Sequence, residues 1–261
     1  MNAQQMRQTV ITMLAAETGC EPTQLTDGKI HIVTRKPERR SLAEHRRFNP
    51  HPGRIAAVTL GTGAVVSVEP EDLAWAENTF TTTDRDELFR GKSLADFIQR
   101  GIQDGLIVHG PFPRFTAPLS AIAKPEYAAG YTVKLVDIEG EYARNTHIID
   151  RSKFTNALFP EPGASGRPTV FAAVAERAGE IVGIAGVSKD SEFMYQIGID
   201  VLPRHRGNGL APAMTASAAR AVFGAGALPY YGTSNTNIAS MRTAIAAGLR
   251  PTWVEVLTRP A

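Results

Sequence analysis

Pro203-Arg204-His205-Arg206-Gly207-Asn208-Gly209-Leu210-Ala211 stands between two segments of opposite character. Before it, Tyr195 to Leu202 is largely apolar and reads as a strand. After it, Pro212 to Phe223 reads as a helix, with Leu210, Met214, Ala218 and Ala221 on one face. A glycine-rich, arginine-bearing turn between strand and helix suits a phosphate. Glycine lets the backbone approach a ligand without a Cβ in the way. The first amides of the helix lack internal partners, and the helix dipole favours an anion there.

Working outward from the turn, Leu228 to Thr233 reads as a strand, Asn237 to Ala247 as a helix stopped by Gly248, and Arg250 to Leu257 as a closing strand. On the other side, Tyr131 to Ile138, Thr169 to Glu176, Glu180 to Val187 and Glu192 to Leu202 read as strands, with Arg177-Ala178-Gly179 as a short turn. Glu141 to Phe159 is expected to form one or two helices before a loop at Pro160 to Pro168. The order β-α-β-β-β-α-β-α-β is a mixed α/β layer rather than a doubly wound Rossmann arrangement.

The first half of the chain is expected to form a smaller α/β unit. Asn2 to Thr18 carries Met6, Val10, Met13 and Leu14 at helical spacing, and Lys29 to Arg35 alternates as a strand. Ile55 to Leu60 and Ala64 to Val68 flank a hairpin turn at Gly61-Thr62-Gly63. Glu71 to Thr79 and Leu94 to Asp104 read as helices, the second with Ser93 and Asp96 as a start signal. The basic segment Arg39 to Arg54 reads as a solvated loop, with an anion patch as the alternative. Val108 to Pro125 carries Pro111, Pro113, Pro118 and Pro125 and reads as an extended connection. The domains are accordingly expected at 1–125 and 126–261.

Two glycine patterns are decoys. Gly61-x-Gly63 is followed by Val66 and a strand where a dinucleotide loop needs a glycine and a helix. Gly91-Lys92-Ser93 has Asp86 where a Walker loop begins with glycine.

Composition bounds the rest. The 261 residues are 43% hydrophobic and 21% charged, as in a globular protein, and a net charge of +2 does not argue for nucleic acid or a membrane as partner. The single cysteine, Cys20, cannot form an internal disulfide, and no apolar leader or bilayer-length run is evident. A cytoplasmic protein is the expectation. No His, Cys, Asp or Glu cluster has metal-ligand spacing, so no metal is expected.

Residues 131–261 resemble the GNAT superfamily of acyl-CoA N-acyltransferases. The family's loop motif, Gln or Arg, two residues, Gly, one residue, then Gly or Ala, is met by Arg206 to Ala211, and an overlapping register begins at Arg204. Asn235-x-Asn237-x-x-Ser240, then Ala244 and Gly248, is similar to the family's asparagine-led helix with its closing glycine. The resemblance is to a bacterial branch that carries an extra N-terminal region. It implies acetyl-CoA as acyl donor and a primary amine of a small molecule or peptide as acceptor, by direct attack without a covalent intermediate.

The resemblance also implies roles for single residues. The amides of Arg206, Gly207, Asn208, Gly209, Leu210 and Ala211 would cradle the CoA pyrophosphate, with Arg204 or Arg206 adding a charge-assisted contact. The strand ending Ile199-Asp200-Val201 would splay from Leu228 to Thr233, so that pantetheine amides pair with Ile199 and Val201. An amide near Gly198 or Ile199 would polarise the thioester carbonyl. Asn237 and Ser240 would approach the thiol end. The tyrosine common four residues before the closing glycine is Ala244 here, and Leu249 replaces the aromatic that follows it. Tyr195 occupies a position where some members place a glutamate base. Glu192, Tyr195, Asp200 and Tyr231 are the candidates for proton transfer, the last three foremost, with water as the alternative acid. Ala244 also motivates a rival reading, a non-catalytic acyl-CoA-binding or sensor protein. After Gly248 a single strand is expected where the family has two, so the missing edge falls to the N-terminal unit or to a second subunit of a homodimer.

Overall fold

The computed structural model describes residues 1–46, 54–138, 149–158 and 169–260. Most of the helical region expected over 141–159, and all of the loop expected over 160–168, lie outside the described residues, as does Arg47. In chain order the elements are α1 (Ala3–Thr18), β1 (Ile30–Thr34), β2 (Ile55–Thr59), β3 (Ala64–Val68), α2 (Leu73–Phe80), α3 (Gly91–Ile102), β4 (Leu106–Thr116) and β5 (Thr132–Asp137). They continue with β6 (Thr169–Arg177), β7 (Glu180–Lys189), β8 (Met194–Val201), α4 (Leu210–Gly224), β9 (Leu228–Gly232), α5 (Ile238–Ala246) and β10 (Arg250–Pro260). The chain is mixed α/β.

Two compact units emerge, and they do not follow the chain in simple succession. Unit I comprises Met1–Met6, Phe115–Gly232 and Asn237–Arg250; unit II comprises Arg7–Arg114, Thr233–Thr236 and Pro251–Ala261. The change of unit between Arg114 and Phe115 precedes the residue-125 boundary, and most of the closing strand belongs to unit II.

In unit I the strands run in the order β9-β8-β7-β6-β5. The strands β5 to β8 are antiparallel neighbours, whereas β8 and β9 are parallel, joined by α4. Both faces are covered, which explains why β6 and β7 read as near-continuous apolar runs rather than alternating ones. Ala173, Ala175, Val182, Ala185 and Val187 face a core that includes Met214, Ala218 and Val222 of α4. Ala172, Val174 and Ile184 face the opposite side, against Ile149, Phe154, Ala157 and Leu158. The small residues Ala216, Ala218 and Ala219 let α4 lie close to the sheet. The end of β4 stands beside β9, Thr116 Oγ1 donating to the Pro229 carbonyl at 2.7 Å.

Gly248 closes α5 with φ 95°, and a Cβ there would collide with the Ala121 carbonyl. The amide of Ala123 donates to the Ala247 carbonyl at 3.0 Å, locking this segment to the helix end. Gly248→Ala is expected to cost about 1–3 kcal/mol, by positive φ and overpacking together. A melting temperature unchanged by the substitution would contradict that account.

In unit II the order is β1-β3-β2-β10-β4. Phe80 of α2 and Phe97 of α3 pack with Ile55, Val66 and Val256. Three expectations are corrected here. The first half of the proline-bearing stretch, Val108 to Thr116 with Pro111 and Pro113, lies within β4, an eleven-residue strand, because proline's fixed φ is compatible with extended backbone. The second helix begins at Gly91, ahead of the Ser93 signal, and Ser93 is buried. In the basic segment, the described arginines Arg39, Arg46 and Arg54 are engaged within the protein rather than left to solvent or to an anion. Arg39 donates to the carbonyls of Ala15 and Cys20 at 3.2 and 2.8 Å, and Arg54 pairs with Asp72 at 2.6 Å. Arg46 is 1% exposed and forms a two-pronged pair with Glu17, both contacts 2.7 Å. These charges are internal structure, held by carboxylates the chain itself supplies.

Candidate functional site

The turn after β8 is built to leave space beside its backbone. Pro203–His205 forms a single 3₁₀ turn, and Arg206 Nε donates back to the Val201 carbonyl at 2.9 Å, tying the loop to the strand end. Gly207 and Gly209 have φ of 79° and 70°, a region that costs other residues on the order of 1–2 kcal/mol. A Cβ at either glycine would meet nothing within 4 Å, so no neighbouring atom of the described residues crowds these positions. Gly209 is the N-cap of α4 and offers no side-chain cap. The first amides of α4 thus face outward with the positive end of the helix dipole behind them. The residues read as a phosphate turn, Arg206 to Ala211, lie together on this loop and the first turn of α4.

A second set of side chains braces the loop. Tyr131 Oη lies 3.1 Å from His205 Nδ1 and accepts from Arg177 Nη1 at 3.1 Å. Asn208 Nδ2 donates to the carbonyls of His205 and Arg206, both at 3.3 Å. Arg204 Nε donates to His205 Nε2 at 3.1 Å, and its Nη2 pairs with Glu180. Because an arginine N–H can only donate, His205 Nε2 must accept, which places the ring proton on Nδ1 facing Tyr131. His205 is only 8% exposed, although a loop histidine reads as solvated. Arg177 stacks its guanidinium 4.9 Å from the Tyr131 ring.

The two edges of β8 differ. Its ladder with β7 continues to Gly183↔Val201, whereas its ladder with β9 ends at Ile197↔Tyr231. Gly198 to Val201 therefore lack β9 partners among the described residues, and Ile199 and Val201 stand on this open edge. At the point where the strands part, Tyr231 Oη lies 2.7 Å from Ser240 Oγ on α5. Tyr231 is 2% exposed, and burial pushes its phenol above the ordinary value, opposed by the Ser240 hydrogen bond and reinforced by the charge of Asp200. Its hydroxyl is therefore protonated at neutral pH. Asn237 caps α5, its Oδ1 accepting from the Ser240 amide at 3.1 Å, which fixes Ser240 beside Tyr231.

The other proton-transfer candidates lie elsewhere. Asp200 spends both carboxylate oxygens on the segment that crosses β8: Oδ2 accepts from the amides of Asn156 and Ala157 at 2.7 and 2.9 Å, and Oδ1 from Asn156 Nδ2 at 2.6 Å. Tyr195 lines a cavity of about 580 Å³ with Leu135, Phe171, Lys189, Ala221 and Ala225, towards the C-terminal end of α4. No hydrogen bond joins Tyr195, Asp200 and Tyr231 among the described residues. Ala244 is fully buried in the core.

Sequence reading missed Tyr131, Arg177 and His205 as loop supports, and Gly186 and Gly198 as a paired bed beneath Asn156–Ala157. The glycines carried a usable signal, since an isolated glycine inside a strand marks close backbone approach. The tyrosine and arginine carried none. Among the described residues, no group of three or more His, Cys, Asp or Glu is placed to hold a metal, and no helix is long and apolar enough to cross a membrane.

Residues 135–246 match the family model described as Acetyltransferase (GNAT) family. No curated protein matches the chain. Among solved structures, a GCN5-related N-acetyltransferase from Kribbella flavida is 18% identical with a TM-score of 0.47, covering 74% of this chain and 77% of that one. A GCN5-related N-acetyltransferase from Sphaerobacter thermophilus is 17% identical with a TM-score of 0.47, covering 75% and 70%. The protein yncA of Salmonella typhimurium, solved with its cofactor acetyl-CoA, is 17% identical with a TM-score of 0.35, covering 49% and 91%.

Proposed function

We propose, from the match of residues 135–246 to the GNAT acetyltransferase family model, that this chain moves an acetyl group from acetyl-CoA to a primary amine of a small molecule or peptide. The observation that carries the reading is the parting of β8 from β9 at Ile197↔Tyr231, close before a glycine loop that opens an uncapped helix. That pairing of an open strand edge with an anion site matches a ligand that has amides along one half and phosphates at the other.

In this reading the amides of Arg206 to Ala211 bind the pyrophosphate, with Arg204 and Arg206 supplying positive charge near it. The backbones of Ile199 and Val201 take up the pantetheine amides as an added strand would. Acetyl-CoA supplies a thioester whose carbonyl carbon is open to attack by a neutral amine. An amide at Gly198 or Ile199 stabilises negative charge developing on the carbonyl oxygen. Tyr231, held by Ser240 at the apex of the opening, donates its proton to the departing sulfur in place of the tyrosine lost at Ala244, and the proton shed by the acylated nitrogen returns through water to the phenolate.

Two measurements test this. Calorimetric titration should show acetyl-CoA binding at one site per chain, and absence of any binding would end the proposal. Tyr231→Phe keeps the packed ring and removes only the hydroxyl. It is expected to lower kcat by a factor on the order of tens, since a thiolate leaves readily and needs less help than an alkoxide, while KM for acetyl-CoA stays unchanged. An unaltered kcat would assign the proton to water instead.

A further inference from the structure

Gly186 and Gly198 face each other across the β7–β8 ladder. A Cβ on Gly186 would collide with the Ala157 carbonyl, and one on Gly198 with the Asn156 carbonyl. The backbone of Asn156–Ala157 therefore lies flat on a two-glycine bed, on the face of the sheet opposite α4. Asp200, two residues along the same face of β8, holds that backbone by its two amides and by the Asn156 side chain. Thr169 Oγ1 adds a 3.2 Å hydrogen bond to the Ala157 carbonyl. Phe154, Ala157 and Leu158 anchor the segment in the core beneath. Gly198 is also the first residue beyond the end of the β8–β9 ladder. The clamped segment thus borders the opening at the point where the strands part.

We propose that Asp200 is a positioning residue for the acceptor: it fixes Asn156–Ala157 as the wall against which the incoming amine is held, and it is not the base. This rests on the acetyl-transfer reading. Both oxygens of Asp200 are already committed as acceptors to three donors of the segment, which leaves the side chain facing Asn156–Ala157 as a clamp. The same three contacts survive in Asp200→Asn. The new amide oxygen accepts from both backbone N–H groups, and its NH₂ meets the Asn156 side-chain oxygen once that amide turns over.

The test compares wild type, Asp200→Asn and Asp200→Ala in the full chain, each first shown to be folded by its thermal melt; Asp200→Ser replaces the alanine variant should that one fail to fold. Hydrogen exchange at the Asn156 and Ala157 amides is expected to be at least about 10-fold faster in Asp200→Ala and restored in Asp200→Asn. With the best acceptor from a panel of primary amines, Asp200→Ala is expected to raise KM for the amine about 10-fold, with KM for acetyl-CoA within about 2-fold, and Asp200→Asn to rescue it. Unchanged exchange in Asp200→Ala overturns the clamp. A kcat lost by about 100-fold or more in Asp200→Asn, with the amides still protected, makes Asp200 the base and overturns the proposal. An equal rise in both KM values removes the wall from the acceptor side. If wild type binds no acetyl-CoA or acetylates no amine, the acetyl-transfer reading fails and the acceptor role with it. That failure is told apart by exchange data that still show the clamp.

Discussion

Replacing Gly209 with valine is expected to weaken acetyl-CoA binding on the order of 100- to 1,000-fold while the chain remains folded. At φ 70° a β-branched side chain is strained, so the loop must relax to a conformation that no longer aims its amides outward. The added methyl groups also enter the space beside the backbone, which holds nothing of the protein within 4 Å of the built Cβ and which the pyrophosphate would fill. Strain of about 1–2 kcal/mol together with one or two lost charge-assisted amide contacts gives about 3–4 kcal/mol, hence the expected factor. Stability should suffer far less, since no neighbouring atom is displaced. Affinity within about 3-fold of wild type would mean that the loop does not hold the phosphates.

The second large effect is on stability. Glu255 is 2% exposed and accepts from Arg114 Nε at 2.8 Å, Arg46 Nη2 at 2.9 Å and Trp253 Nε1 at 2.8 Å. Glu255→Gln turns an acceptor into a donor against these donors and removes the charge opposite the buried guanidinium of Arg46 and the partly buried one of Arg114. Breaking a buried pair from one side costs about 3–5 kcal/mol, which for a chain of this size lowers Tm on the order of 10 °C. The loss depends on pH. Burial raises the Glu255 pKa, but the charges of Arg114 and Arg46 prevail and hold it at about 2, below its ordinary value of 4.5. A carboxylate depressed in the folded state contributes fully above the unfolded value and loses its contribution as pH falls through the folded one. The gap in stability between wild type and Glu255→Gln should therefore be full at neutral pH and shrink between about 4.5 and about 2. Denaturant midpoints of the two proteins across that range check it, and a gap independent of pH would contradict the assignment.

How far the sequence could be read depends on how local each determinant is. The loop from Arg206 to Ala211, the strands around it and the asparagine cap of α5 were legible because their signals are short-range: glycine at positive φ, an apolar run, a cap residue three positions before its amide partner. The burial of Arg46 was not, because one of its partners, Glu255, is 209 residues away. Proline marked β4 as a connection, since proline is compatible with extended backbone whether or not a sheet forms there. The burial of His205 is not legible either, because Tyr131, which faces its ring, precedes it by 74 residues. Asp200 was read as a candidate for chemistry from its place on the strand, and the backbone that occupies its oxygens lies 43 and 44 residues upstream.

The most direct test of acetyl transfer is the release of free thiol from acetyl-CoA by the full chain, followed across a panel of primary amines. Thiol release is expected to require an amine, with one acetylated amine formed per thiol. Acetyl-CoA binding without amine-dependent thiol release from any member of the panel would contradict it and favour an acyl-CoA sensor instead.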